Sequence, residues 1–160
     1  MKNFSRFIPA ICSLLFIAQS VTAQSLDINI LWQKTVQVQT IKFSPDNIRL
    51  VTGGSADNCF PYLCGQIKVW QVTDGDLLTS IENPAMGLTN DVDVSSDGQT
   101  IISGNGSVYC APDGGCSADK PGQFKYAVDG RQLKSLTNPG GNVYAIEYSP
   151  DQTVIAAGGL

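Results

Sequence analysis

Thiols carry the sharpest chemical signal in this chain of 160 residues. Cys59 and Cys64 form one local pair and Cys110 and Cys116 another, while Cys12 lies in a separate apolar stretch near the N-terminus. The intervening residues include Pro61 in the first pair and Pro112, Gly114 and Gly115 in the second, so the chain can turn back within disulfide reach. Disulfides Cys59–Cys64 and Cys110–Cys116 are the expected pairing, each stabilising by about 2 kcal/mol through closure of a short loop. A zinc site would need all four thiolates to converge without a histidine, at spacings wider than zinc sites use. A redox-active pair would prefer two intervening residues beside a helix N-terminus.

The chain contains no histidine, which removes His-based acid–base catalysis and any Ser-His-Asp triad. Gly104-Asn-Gly106 and Gly114-Gly115 lack the lysine and helix of a phosphate-binding loop. Asp91 and Asp93 share a strand face by period two and read as solvated positions beside a turn. Asp113 and Asp119 flank Cys116, at a spacing that matches no EF-hand loop. Asp46, Asp97 and Asp151 recur at turns, where an aspartate bonds its own backbone. No catalytic, cofactor-binding or metal-binding residue is expected. Phe60, Tyr62, Tyr109 and Asp113, beside the cysteines, are candidate partner contacts, with the alternative that the aromatic rings pack against the sheets.

Bulk properties set the compartment and narrow the partners. Lys2 and Arg6 precede an apolar run from Ile8 to Ala18, short for a membrane span, and Val21-Thr-Ala23 offers small residues to a signal peptidase. Residues 1–23 read as a signal peptide, and residues 24–160 as an exported periplasmic or extracellular chain that does not span the membrane. Removing Lys2 and Arg6 from the ten basic residues leaves eight against fourteen acidic ones, a net charge of −6. Such a surface repels phosphate backbones, so no nucleic-acid partner is expected. Hydrophobic residues make up 42% and charged residues 15%, the balance of a folded domain rather than a disordered tail.

The elements that must carry these residues repeat. Val38–Asp46, Thr89–Asp97 and Asn142–Asp151 are alternating strands ending in Ser-Pro-Asp or Ser-Ser-Asp, each followed by a second strand that closes on glycine. The turn aspartates 46, 97 and 151 are 51 and 54 residues apart. Between them Gly65–Gly75 resembles Gly122–Gly130, and each leads into a further strand and an Asn-Pro at 83–84 or 138–139. Each unit therefore reads as four short strands joined by hairpins.

Phe43-Ser-Pro-Asp46, Val51-Thr-Gly-Gly-Ser55, Ile67-Lys-Val-Trp70 and Thr73-Asp-Gly75, repeated more loosely downstream, resemble the WD-repeat propeller family over residues 26–160. The resemblance implies an all-β fold: a partial β-propeller of four-stranded antiparallel blades, in an open, incomplete ring. It implies an outer strand at 25–31, blades at 36–82 and 89–137, and a partial blade at 142–160. Trp70 and Asp57 match the family's strand-C tryptophan and B–C turn aspartate, and the place matching Trp70 in the next unit is Tyr126 or Ala127. Without histidine the family's His–Ser/Thr–Asp–Trp network cannot form in full, so apolar packing is expected to hold the blades. Residues 24–160 hold about two and a half units, whereas closed propellers take roughly four to eight blades. The chain is a fragment, a subunit that self-associates to complete a ring, or a small open sheet protein. The resemblance implies a non-catalytic scaffold whose loops bind a protein or peptide. The alternative is part of an exported propeller enzyme, a hydrolase or quinone-dependent dehydrogenase, with its active site in other blades.

Overall fold

The computed structural model describes residues 30–56, 64–83, 87–106, 109–110, 116–117, 122–137 and 141–159. Those residues form an all-β, partial propeller of antiparallel sheets, with no helix among them. The first sheet has the order β1 (Thr40–Phe43), β2 (Arg49–Ser55), β3 (Gly65–Gln71) and β4 (Leu77–Asn83). The second sheet repeats that meander with β5 (Leu88–Val94), β6 (Thr100–Gly106), β9 (Gly122–Ala127) and β10 (Gln132–Thr137). A two-stranded hairpin, β7 (Tyr109–Cys110) and β8 (Cys116–Ser117), is inserted between β6 and β9. A third sheet consists of β11 (Val143–Tyr148) paired with β12 (Ile155–Gly159).

One turn is built three times, where the first strand of each sheet meets the second. The Ser44 hydroxyl donates to Asp46 Oδ1 at 2.5 Å and accepts from Arg49 N at 2.9 Å, while Asp46 Oδ1 also accepts from Ile48 N at 3.0 Å. Ser95 and Asp97 repeat the pattern with Thr100 N and Gln99 N, and Ser149 and Asp151 with Val154 N and Thr153 N. The residue after each aspartate is left-handed: Asn47 at φ 59°, Gly98 at 67° and Gln152 at 62°. Only Gly98 adopts that conformation without a Cβ penalty.

Two-residue periodicity then sorts the strand side chains between neighbouring sheets. Val51, Ile67, Val69 and Ile81 of the first sheet meet Val92, Val94, Ile101, Phe124 and Tyr126 of the second in one apolar core. Ile102, adjacent to Ile101 on β6, points the other way and packs with Ile146, Tyr148 and Ile155 of the third sheet. Each such side chain taken fully from water contributes about 1.5–3 kcal/mol. A seven-residue strand such as β6, with both faces covered, is stable only because a sheet lies on each side of it.

The register also settles a comparison between units. Leu50 is opposite Trp70, and Ile101 is opposite Tyr126, so Tyr126 rather than Ala127 occupies the tryptophan place. Gly53 faces Ile67 while Gly104 faces Gln123, so Gly65–Gly75 and Gly122–Gly130 match with a one-residue offset.

Residues 25–29 of the expected outer strand lie outside the described residues, and Ile30 and Leu31 belong to no strand. Trp32 nonetheless holds a telling position. Its Nε1 donates to Val72 O at 2.7 Å, as Thr79 Oγ1 on β4 donates to Val128 O at 3.2 Å. Toward the first sheet, Trp32 thus stands where the last strand of the first sheet stands toward the second.

Candidate functional site

The inner edge of the stack is built from the first strand of each sheet, and there the carboxylates of β5 join three sheets. Asp91 Oδ1 accepts from Thr40 Oγ1 at 2.9 Å, and its Oδ2 accepts from Ile146 N at 2.9 Å. Asp93 Oδ1 pairs with Lys42 Nζ at 3.2 Å, and its Oδ2 accepts from Tyr148 N at 2.8 Å. Asp93 is 5% exposed. The sequence suggested two solvated positions; instead both carboxylates are partly or wholly buried and tie β1 and β11 to β5. Their edge-strand amides have no strand partner on that side, and a carboxylate supplies the missing acceptor.

Further polar groups are consumed inside the sheets. Trp70 Nε1 donates to Thr52 Oγ1 at 3.0 Å in a buried pair. In the second sheet Ser103 Oγ donates to Asn105 Oδ1 at 2.8 Å, and Asn105 Nδ2 donates to Thr89 Oγ1 at 3.1 Å. Thr89, Ser103 and Asn105 are fully buried. Apolar packing is therefore joined by a short polar network in each four-stranded sheet, which the expectation of mainly apolar packing did not foresee. Asn105 is the residue that sequence reasoning missed: it stands in β6 where the first unit has Gly54, and it links Ser103 on its own strand to Thr89 on β5.

Asp46, Asp97 and Asp151 are exposed and held below the ordinary carboxylate range. The cause in each is first the hydroxyl of Ser44, Ser95 or Ser149, then a backbone N–H from Ile48, Gln99 or Thr153. Their chemistry is that of turns.

At the opposite end of the sheets from these turns, the second-to-third strand connections emerge from neighbouring positions, residues 56–64 in the first sheet and 107–121 in the second. Cys64 is buried and disulfide-bonded. In the second connection the register sets Cys110 opposite Cys116 and Tyr109 opposite Ser117. Directly paired antiparallel residues have Cα atoms about 4.5–5.5 Å apart, within the range a disulfide spans. Asp57, Cys59, Phe60, Tyr62, Asp113 and Asp119 lie outside the described residues.

Open grooves flank the stack, among them two relevant to its outer sides. One, of about 430 Å³, runs over the third sheet and is lined by Lys42, Asp91, Ala145, Glu147, Ala156 and Gly158 among others. The other, of about 270 Å³, lies on the first sheet between Trp32, Val36, Val38, Ile41, Leu50 and Trp70.

No family model matches the chain, and no curated protein matches it. Among solved structures, the crystal structure of a eukaryotic initiation factor is similar at 16% identity and a TM-score of 0.42, over 63% of this chain and 22% of that one. The chain spans about a fifth of the length of that protein.

Proposed function

We propose that this chain is a divergent WD-repeat-like propeller segment, exported to the periplasm or the cell exterior, that binds a protein or peptide through its loops. The observation that carries the reading is the equivalent placement of two long connections, 56–64 and 107–121, on adjacent rigid sheets. Loops on a fixed scaffold can differ in shape and chemistry without cost to the core, which suits them to recognition. Disulfides Cys59–Cys64 and Cys110–Cys116 would limit the freedom each loop loses on binding. Phe60, Tyr62 and Tyr109 supply aromatic anchors and Asp113 a polar contact in this reading. The carboxylates best placed for chemistry, Asp46, Asp91, Asp93, Asp97 and Asp151, are each engaged in turn or inter-sheet bonds, which favours binding over catalysis.

The test replaces residues 59–64 and 110–116 with Gly-Ser segments of equal length. Proteins retained from a cell-envelope extract by the immobilised parent chain should be lost on the replaced chain, with the far-UV spectrum unchanged. Tyr62→Ala and Tyr109→Ala should each weaken retention of the same proteins. Retention unaltered by the loop replacement overturns the reading.

A further inference from the structure

We propose that the uncovered side of the third sheet binds the outer, partly covered side of the first sheet in a second copy of this chain, with Val38 and Ile41 of that copy filling the space over Gly158.

The two joints inside the chain show how such sheets fit. At the first, a Cβ on Gly53 would stand 2.7 Å from Thr89 Cγ2 and 3.0 Å from Val92 Cγ1. At the second, a Cβ on Gly104 would stand 2.7 Å from Val143 Cγ1 and 3.5 Å from Ile146 Cβ. In each case a glycine on the second strand makes room for two residues, three apart, on the first strand of the next sheet. Gly158 holds the same place in the third sheet: it is opposite Ala145, as Gly53 is opposite Thr40 and Gly104 opposite Asp91. A Cβ there would meet no described atom within 4 Å.

The first sheet carries the complementary half. Thr89 and Val92 precede Asp97 by eight and five residues, Val143 and Ile146 precede Asp151 likewise, and Val38 and Ile41 precede Asp46 at the same distances. Val92, Val143 and Ile146 are buried under a neighbouring sheet, whereas Val38 is 39% and Ile41 58% exposed. Phe43, the counterpart of buried Val94 and Tyr148, is 56% exposed. Trp32 already covers part of that side, where Leu50 and Trp70 are buried, and Val38, Ile41 and Phe43 beside it are left in the form that another sheet of this kind covers.

Charge agrees with the fit. Lys42, Asp93 and Glu147 hold equivalent places on β1, β5 and β11, and across the first joint Lys42 pairs with Asp93. Across the second joint Asp93 accepts the Tyr148 amide. Glu147 is exposed on the uncovered side. Seated on a second copy, it faces Lys42 and the amide of Phe43, a cation and a donor. The joint is head to tail, so copies add in one direction.

Two substitutions test this without entering the folded core. Gly158→Leu places a side chain in space that is open within one chain, and Ile41→Asp alters an exposed residue; neither should lower the melting temperature at a dilution where the parent is monomeric. Sedimentation of the purified protein across a concentration series should show self-association of the parent, weakened about 30-fold or more by either variant. An equimolar mixture of the two variants should form a one-to-one heterodimer and stop there, because it retains one intact joint. A monomeric parent, variants that associate like the parent, or a mixture that stays monomeric overturns the proposal. The joint rests on the stack of like sheets and not on the loops, so the loop-replaced chain should associate like the parent; loss of association in that chain overturns the placement of the joint.

Discussion

Asp93 is a carboxylate in a setting where a lone charge would be costly, and its two oxygens are answered by Lys42 and by the amide of Tyr148. Removing it leaves Lys42, still 44% exposed, to water but strands a buried N–H. Asp93→Ala should therefore destabilise the fold by about 1–3 kcal/mol in urea titration, and Asp93→Asn by less, because an amide oxygen can still accept from Tyr148. Equal losses for the two variants would mean that the amide bond is not what matters. Nothing local in Asn90-Asp-Val-Asp93 announces this role, since the partners lie about fifty residues away on either side and become visible only when sheets are stacked. Asn105 was hidden for a different reason: its partners, Ser103 and Thr89, lie within its own sheet, and the first unit has a glycine in its place. Tyr126 was half visible: the sequence narrowed the tryptophan place to Tyr126 or Ala127, and only the pairing with Ile101 decided between them.

The turns were the most legible elements, because their bonds are made within six residues. Ser44-Pro-Asp46, Ser95-Ser-Asp97 and Ser149-Pro-Asp151 each close on themselves through a hydroxyl and a carboxylate, whatever the rest of the chain does. Their carboxylates titrate below the ordinary range in the folded chain. A depressed folded pKa gives stability that is fully present above the unfolded value and is lost as pH falls through the folded one. The melting temperature should accordingly hold steady from neutral pH down to the ordinary carboxylate range and fall below it, and Asp97→Asn should make that fall shallower. An acid profile identical in parent and variant would remove these turns from the account. Strand order was legible as well, since four alternating segments joined by hairpins leave few other meanders. Loop content was less so: the β2–β3 and β6–β9 insertions were visible as cysteine-bearing stretches, but the β7–β8 pairing inside the second was not foreseen.

At the scale of the whole molecule, three sheets are stacked side by side, and the second presents alternate strand residues to a neighbour on each side. The repeat period foretold that stack, while of the glycine seats only Gly104 was marked as a strand end; Gly53 and Gly158 stand one residue inside the closing glycines 54 and 159. What holds the third sheet, of which two strands are described, is the apolar patch around Ile146 and the acceptors on β5. Amide hydrogen exchange resolved at single residues tests that arrangement most directly. Ile146 and Tyr148 lie on an edge strand, where unbonded amides exchange fast; the stack predicts slow exchange at both, with Tyr148 released in Asp93→Ala and Ile146 in Asp91→Ala. Fast exchange of both amides in the parent chain would contradict it.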